Sequence, residues 1–342
     1  MERTRNLKLL GEWLKLAVVF WLLVGGCVGD PPLSYQYLRL GQRSDVHTAP
    51  VAGFALMGGG ADLDVAFKWL CSRANSGDFL ILRARGDDAY NSYVNDLCHA
   101  NSVSTLIIPD ATTAREARVV EIIRSAEAIF LAGGDQARYV KGWTGTPVQR
   151  ELNDAIARGV PIGGSSAGLA VLGSYVYSAE NDKADDANLH SSEALADPFF
   201  QRVVLRRDFL EIPILRNVLT DTHFKARDRM GRTIAFLARI VQDGWASQPR
   251  AIGIDEKTAV LVGGDGKASV VGSSAAYFLS VNEAPKVCHP GTPLTFHNIS
   301  VYRVRAGGQF DLATWRGSGG DLYSLSVDAG MIHSTQPSGA IY

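Results

Sequence analysis

Short apolar segments alternate with segments of helical period along the chain from Val51 onward. The apolar segments end in glycine or polar residues, as buried strands of a parallel sheet do. The strands predicted in this way are residues 51–57, 79–83, 103–108, 128–132 and 160–162. The helices predicted between them are residues 64–75, 90–100, 113–125 and 147–157. This alternation predicts a parallel sheet with helices on both faces and a site beyond the carboxyl ends of its strands.

The pattern becomes irregular after residue 173. Further strands are predicted at residues 175–178, 212–220, 251–254 and 259–262, the last two as a closing hairpin. From about residue 266, short strands such as 300–304 are separated by glycine and proline turns, without a helical period. We therefore predict an α/β domain over residues 51–265 and a small β-rich appendage over residues 266–342.

The N-terminal segment has the pattern of an export signal. Four basic residues precede the apolar run 16–24, which is too short to span a bilayer comfortably. The run ends in Val-Gly-Gly-Cys at Cys27, which resembles a bacterial lipoprotein cleavage box. We predict a signal peptide over residues 1–27, a linker over 28–50, and an exported bacterial protein that is either periplasmic or a membrane-anchored lipoprotein. Simple secretory cleavage and an uncleaved anchor are the alternatives.

Composition narrows the class of protein. The 342 residues are 46% hydrophobic, enough for a large core, and 34 Lys+Arg balance 35 Asp+Glu, so no global charge indicates a nucleic-acid partner. After Cys27 the cysteines are Cys71, Cys98 and Cys288, an odd number without the C-x-x-C spacing of a zinc site. A Cys71–Cys98 disulfide and free buried thiols both stay open. No metal and no cofactor are expected.

One glycine-rich turn has the pattern of a nucleophile. Residues 164–168, Gly-Ser-Ser-Ala-Gly, fit G-x-S-x-G between a predicted strand and a predicted helix. The glycines remove Cβ atoms that would clash in so sharp a turn, and Ser166 is then presented at the strand end. The glycine-rich ends at 58–60, 133–134 and 163–164 are predicted to share one edge of the sheet. The alternative is an ordinary Gly/Ser turn that caps a helix.

A serine nucleophile needs a base, and His223 has the most informative surroundings. It follows a predicted strand, and a helix is predicted to begin there with Asp221 or Thr222 as N-cap. His223 and Arg227 share the apolar stripe of this helix, so both are predicted to point inward. The alternative is a capping histidine in a salt-bridged helix start. Lys225, Arg229 and Arg232 lie on another face, either solvated or folded over the site to bind carboxylates.

The turn Gly133-Gly134-Asp135-Gln136 follows the predicted strand 128–132. The backbone N–H groups of Gly134 and Ala167 are candidates for an oxyanion hole. The alternative is a plain β-to-α turn that uses glycine for positive φ.

Four segments together carry a family resemblance: FLAGGDQ, GGSSAGLAVLG, DTHFKARDRMGR and GIDEKTAVLV, all between residues 130 and 262. They resemble the cyanophycinase and aspartyl dipeptidase family of serine peptidases, and the cyanophycinase-like branch more closely. The resemblance implies a flavodoxin-like, mostly parallel α/β sheet related to class I glutamine amidotransferases, with serine in place of their cysteine. It also implies hydrolysis of peptide or isopeptide bonds next to aspartate.

The same resemblance implies roles for single residues. Ser166 matches the nucleophile and His223 the base. The positions that match the substrate site of cyanophycinases are Gln136, Asp221, Arg227, Arg229 and Arg232.

The acid of the triad is the weakest match. The family places an acid between serine and histidine, and Ser191-Ser192-Glu193 resembles its segment, so Glu193 is the first choice. Glu180 and Asp182 are rivals. Thr222 stands where cyanophycinases often have glutamine, and this departure argues against strict specificity for cyanophycin.

The sequence therefore predicts an exported serine exopeptidase that forms an acyl-enzyme with a small acidic peptide or isopeptide. It predicts no nucleic-acid partner and a membrane contact only through the N-terminal segment, and it leaves a homodimer open. The alternatives are an α/β-hydrolase-type esterase, because G-x-S-x-G serves both, and a catalytically inert surface-anchored binding protein.

Overall fold

The computed structural model describes residues 34–182 and 188–342, and in them sixteen strands form one mixed sheet. The predicted signal peptide and the cysteine of its cleavage box lie outside the described residues. The strands are β1 (Gln36–Gly41), β2 (Gly53–Met57), β3 (Asp78–Arg83), β4 (Ser102–Ile107), β5 (Ala128–Leu131), β6 (Ile162–Ser165), β7 (Tyr175–Tyr177), β8 (Leu205–Arg207), β9 (Val218–Asp221), β10 (Arg250–Ile254), β11 (Thr258–Gly263), β12 (Lys267–Gly272), β13 (Ala275–Val281), β14 (Phe296–Asp311), β15 (Arg316–Asp328) and β16 (Met331–Ser334).

Helices connect the strands mainly in the first half. They are α1 (Asp64–Ala74), α2 (Ala89–Leu97), α3 (Ala117–Arg124), α4 (Gln136–Trp143), α5 (Pro147–Ala157), α6 (Ala167–Ala170), α7 (Ser191–Ala196) and α8 (Met230–Gln242). The sequence pattern did not indicate α4, whose N-cap is the side chain of Asp135. Among the described residues, none of the helices combines the length and apolar character needed to cross a membrane.

The parallel core of the sheet has the order β4-β3-β5-β6-β2. Successive side chains of a strand point to opposite faces, and here Leu80 and Leu82 join one apolar cluster while Phe79 and Ile81 join another. Helices α3 and α5 contribute to the first cluster, and α1 to the second. The predicted parallel sheet with helices on both faces is therefore confirmed.

Part of the predicted linker belongs to the sheet. Residues 36–41 form β1, which pairs antiparallel with β4 at the edge of the sheet. Tyr35 is buried in the core beside it, and the side chain of Asn91 donates a hydrogen bond to Leu38 O. The linker prediction is thus corrected, because apolar contacts with the α/β core order these residues.

The predicted C-terminal appendage is also corrected. Residues 35–342 form a single compact unit, and strands β12, β14 and β13 lie in the sheet between β11 and β10. The predicted hairpin of residues 251–262 does not form, since β10 pairs with β9 and β13, and β11 pairs with β2 and β12. Phe278 and Phe310, stacked at 3.7 Å between ring centroids, bury the later strands in the main core.

A disulfide joins Cys71 of α1 to Cys98, the residue that follows α2, across a sequence separation of 27. Of the two alternatives for these cysteines, the disulfide is confirmed, and Cys288 is free and buried. We expect the double variant Cys71→Ser/Cys98→Ser to lose roughly 3 kcal/mol of unfolding free energy, because a cross-link restricts the unfolded chain.

Denaturant titration measures this loss. Adding a thiol reductant should lower the denaturant concentration at which half of the wild-type protein is unfolded. The same concentration should stay unchanged for the double variant. Equal unfolding free energies for the two proteins would contradict the expected contribution.

Candidate active site

The G-x-S-x-G turn joins β6 to α6 with a strained serine at its centre. Ser166 has φ 53° and ψ −117°, values that a residue with a side chain rarely adopts. A Cβ on Gly168 would lie 1.9 Å from Leu131 O, and one on Gly164 would lie 2.5 Å from Gly168 O. Both glycines are therefore required by close backbone contacts. The turn holds the Ser166 hydroxyl at the carboxyl end of the parallel strands, which confirms the predicted location.

His223 reaches this serine from a loop. The helix predicted to begin at His223 begins instead at Met230, and residues 222–229, the histidine loop, precede it. The imidazole Nε2 lies 2.7 Å from Ser166 Oγ. Gly59 lies against the ring, since a Cβ there would be 2.5 Å from His223 Cε1. The predicted inward direction of His223 is confirmed, although a turn and not a helix produces it.

Contacts with neighbouring segments hold the histidine loop in place. His223 N donates to Gly58 O at 2.8 Å, and Phe224 N donates to Ile254 O at 3.1 Å. At the other end, Tyr342 donates its hydroxyl proton to Asp228 Oδ1 and accepts a hydrogen bond from Met230 N, each at 2.9 Å. The loop is therefore anchored to the strand ends below it and to the last residue of the chain.

The carboxylate that contacts the histidine is Glu256. Its Oε1 lies 2.6 Å from His223 Nδ1, and its side chain is 36% exposed. With the ring proton on Nδ1, His223 donates to Glu256 and its Nε2 accepts from the Ser166 hydroxyl. Ser166, His223 and Glu256 therefore have the connectivity of a nucleophile, a base and an orienting acid.

The acids predicted from the sequence occupy other positions, and this prediction is corrected. Glu193 accepts a hydrogen bond from His190 N at 2.9 Å and lies 3.4 Å from Arg202 Nη1, at the start of α7. Glu180 is paired with Arg206 and accepts from Ser178 Oγ. Each of these two carboxylates therefore stabilises the segment around it through hydrogen bonds and ion pairs, and neither contacts the imidazole.

Asp182, the third rival, is also engaged elsewhere. It accepts hydrogen bonds from Tyr177 Oη at 2.7 Å and from Arg202 Nε at 3.1 Å. It lies in the wall of the cavity described next, and among the described residues no contact joins it to His223.

A cavity of about 400 Å³, here called the arginine cavity, opens beside Ser166. Five residues predicted for the oxyanion hole and the substrate site line it: Gly134, Gln136, Arg227, Arg229 and Arg232. Gly134 has φ +144°, so glycine is favoured there. Ala167 is the first residue of α6 and is buried directly behind the serine. The structure therefore brings most of the predicted site residues together.

Asp221 has a different place from the one predicted. It is buried beneath the arginines, where Arg232 donates to both of its carboxylate oxygens at 2.9 and 2.5 Å and Thr233 Oγ1 donates at 2.9 Å. Burial tends to raise the pKa of Asp221, but the charges of Arg232 and Arg229 hold that pKa below its ordinary value. Asp221 thus orients the arginines, and no described contact brings it into the cavity wall.

The three arginines differ in what they offer a ligand. Arg232 is 1% exposed, and its Nη1 is buried without a hydrogen-bond partner among the described residues. Arg229 donates to Asn188, Thr222 and Asp221, and burial together with the charge of Arg232 lowers its pKa to about 9. Arg227, predicted to point inward, is instead exposed at the cavity mouth, because residues 225–228 of the histidine loop face solvent. Because guanidinium groups are positively charged donors whose planar geometry matches carboxylates, the arginine cavity is suited to an anionic group.

The surroundings of His223 favour the neutral ring. Burial lowers its pKa from 6.5, the hydrogen bond to Glu256 opposes this, and the charges of Arg227 and Arg229 lower it further. The pKa of Glu256 is lowered chiefly by its hydrogen bond to His223. At neutral pH the imidazole is therefore unprotonated and able to accept a proton, with a charged carboxylate behind it.

These directions predict the pH dependence of turnover. A base works only when neutral, so kcat/KM should fall as pH decreases through the pKa of His223, and this acid limb should lie below pH 6.5. Arg227→Met removes a positive charge that lowers the pKa, so the limb should move to higher pH. The measurement is kcat/KM against pH, with Lys225→Met as the control from the same loop. A limb unmoved in Arg227→Met would contradict the assigned electrostatics.

Among the described residues, no group of three or more His, Cys, Asp or Glu side chains is arranged to hold a metal ion. Glu256 follows His223 in the sequence, whereas the family resemblance implies an acid between the serine and the histidine, and the predicted hairpin of residues 251–262 does not bring Glu256 to the imidazole. Strands β9 and β10 are in fact parallel neighbours, with Gly253 opposite Asp221. An acid two residues after the end of β10 therefore meets a histidine two residues after the end of β9. The rule that sites collect at carboxyl ends of parallel strands would have identified it.

Comparisons with known proteins bear on the family of this chain. The sequence model of Peptidase family S51 matches residues 83–270, more than half of the chain. A cyanophycinase from Nostoc sp. (strain PCC 7120) is 27% identical over 219 residues, which cover 62% of this chain and 66% of that protein. A cyanophycinase from Synechococcus elongatus is 25% identical over 278 residues, which cover 77% of this chain and 80% of that protein.

A solved structure has the same fold. The crystal structure of a peptidase from an acI-B1 Actinobacterium superposes with a TM-score of 0.50 and 18% identity, covering 77% of this chain and 98% of that one. The predicted flavodoxin-like fold class is thereby confirmed. With the match of the family model over residues 83–270, the chain belongs to peptidase family S51.

Proposed function

We propose that this protein is a serine exopeptidase that hydrolyses peptide or isopeptide bonds next to aspartate. The observation that carries the proposal is the continuous chain of contacts from Ser166 Oγ through His223 to Glu256, at 2.7 and 2.6 Å. Membership of peptidase family S51 and the similarity to cyanophycinases support the reaction class. The arginine cavity beside the serine supports an acidic substrate.

The proposed reaction has two halves. His223 Nε2 takes the proton of Ser166 as Oγ bonds to the scissile carbonyl carbon, and the N–H groups of Gly134 and Ala167 stabilise the resulting oxyanion. The imidazolium then gives its proton to the leaving amine as the C–N bond breaks. Water, deprotonated by His223, attacks the acyl-enzyme, and its proton returns to Ser166 with release of the acid product. Glu256 stabilises the imidazolium in each half.

Substrate selection is assigned to the arginines and Gln136. The unpartnered Nη1 of Arg232 supplies a buried donor for a substrate carboxylate, and Arg227 supplies a second charge at the cavity mouth. A neutral ligand would leave these charges in a desolvated site without a counterion, which is costly. Thr222, shorter than the glutamine often found at this position in cyanophycinases, is in the wall as well. The arginine cavity is therefore proposed to select aspartyl compounds and not cyanophycin alone.

A dipeptide panel tests this proposal. We expect α- and β-linked aspartyl dipeptides to exceed their asparaginyl counterparts by at least ~100-fold in kcat/KM, because the asparaginyl group leaves the arginines unpaired. Faster turnover of p-nitrophenyl esters than of aspartyl peptides would indicate the esterase alternative. Absence of turnover together with absence of Ser166 labelling by a fluorophosphonate would indicate the inert binding protein.

We further propose that the protein is exported, as a periplasmic protein or a membrane-anchored lipoprotein. The basic and apolar pattern of residues 1–27 supports this, and so does the Cys71–Cys98 disulfide, since structural disulfides persist in oxidising compartments. In a bacterial host, a lipoprotein is expected in the membrane fraction as wild type and outside it as Cys27→Ser, whereas a periplasmic protein is expected in the periplasmic fraction in both forms. Recovery of both proteins in the cytoplasm would contradict export.

A further inference from the structure

A second cavity, of about 500 Å³, lies on the other side of the Gly133–Asp135 turn from the arginine cavity. Gly134 and Asp135 line both cavities, so this turn is the wall between them. The second cavity is lined by three arginines, Arg83, Arg85 and Arg138, against a single acid, Asp135. It is here called the Arg85 cavity. No role in the proposed reaction uses its three arginines.

The sheet register sets the distance between the two cavities. Leu82 of β3 is opposite Leu131 of β5, which is opposite Gly164 of β6. Arg83, the glycine turn and Ser166 thus lie at the carboxyl ends of three neighbouring strands, Arg83 as the last residue of β3. Two strand spacings amount to ~10 Å, and an extended chain advances ~3.3 Å per residue, so about three residues of peptide join Ser166 to the Arg85 cavity.

The three arginines of this cavity differ in the hydrogen bonds and ion pairs that they already make within the protein. Arg83 Nη1 donates to the main-chain oxygen and a side-chain oxygen of Asp87 at 2.9 and 3.1 Å, and Gly86 lies against its guanidinium. Arg138 faces Asp135 at 3.6 Å with both side chains about half exposed, a weak pair. Arg85 is exposed and has no ion pair or hydrogen bond to any described residue. An excess of positive charge is therefore available to a ligand.

We propose that the Arg85 cavity binds an acidic side chain of the substrate on the far side of the scissile bond from the arginine cavity. The terminal unit occupies the arginine cavity, the carbonyl under attack lies at the Gly134 turn, and the following chain crosses β5 toward β3. The substrate class is then a peptide with carboxylates on both sides of the cleaved bond, and longer acidic chains bind more tightly than dipeptides. This inference rests on the proposed function for the reacting end of the substrate.

The test compares an aspartyl dipeptide with tetra-aspartate. In Ser166→Ala protein, which retains the ligand without cleaving it, calorimetry measures both dissociation constants. The double variant Arg85→Glu/Arg138→Glu should reduce the preference for tetra-aspartate over the dipeptide by about tenfold or more, because charge-assisted hydrogen bonds are replaced by repulsion. The control is Arg118→Glu, an exposed arginine on α3 that lines neither cavity. It should leave the preference unchanged.

Salt supplies a second readout. The preference for tetra-aspartate should weaken with ionic strength in the control and show a smaller salt dependence in the double variant, because exposed charges are screened. Equal preferences in the double variant and the control, or no preference for tetra-aspartate at all, would overturn the inference. Arginine-dependent binding without hydrolysis of any aspartyl compound by the wild-type enzyme would support the Arg85 cavity and overturn the peptidase proposal.

Discussion

Ser166→Ala is expected to lower kcat on an aspartyl dipeptide by ~10⁶-fold, and His223→Ala by a similar factor. Removing either the nucleophile or the base of such a unit abolishes the same step, so the two losses are large and not additive. In the structure the two groups share one hydrogen bond of 2.7 Å, and among the described contacts the imidazole has Glu256 as its other side-chain partner. The double variant should therefore be hardly slower than either single variant.

Single-turnover kinetics and fluorophosphonate labelling measure the two effects separately. The matched control is Ser165→Ala, one residue earlier in the same motif, which removes a buried hydroxyl that contacts neither His223 nor the cavity. It should keep both labelling and turnover. If Ser166→Ala protein retained more than a small fraction of wild-type kcat while Ser165→Ala lost it, the assignment of the nucleophile would be wrong.

Glu256→Gln is expected to lower kcat by ~10³- to 10⁴-fold. The amide keeps the size of the side chain but does not stabilise the imidazolium, and its NH₂ group favours the wrong tautomer of His223. The pKa of His223 should fall further, because the hydrogen bond that the imidazole donates to Glu256 raises that pKa in the native protein. The acid limb of the pH profile should therefore move to lower pH, a shift opposite to that of Arg227→Met.

Glu193→Gln and Glu180→Gln are the matched comparisons for this variant. Glu193 caps α7, so its loss should lower the unfolding free energy by ~1 kcal/mol and leave kcat near that of the wild type. Glu180 is paired with the half-exposed Arg206 and accepts from Ser178 Oγ, so Glu180→Gln should leave kcat near that of the wild type. A dominant loss of kcat in either variant, with Glu256→Gln near wild type, would reject Glu256 as the orienting acid.

Local pattern determined much of this protein from the sequence alone. The alternation of apolar and helical segments was sufficient for the parallel sheet, because burial on both faces leaves a continuous apolar signature. The G-x-S-x-G pattern identified Ser166, because backbone contacts in such a turn are too close for a Cβ and therefore require glycine at those positions. His223 and the arginines were found because they follow a strand that ends at the same edge.

Only the tertiary structure decided which carboxylate meets the histidine. Glu256 becomes its partner because β9 and β10 pair in parallel. Local periodicity does not determine which distant segments pair as strands. The same reason explains the C-terminal strands, whose pattern predicted an appendage and whose pairing completes the central sheet. It explains β1 as well, since an edge strand acquires its structure from the neighbour it pairs with. The pattern of apolar and polar side chains is local, so it could be interpreted from the sequence. Register and strand order depend on the whole fold, so they could not.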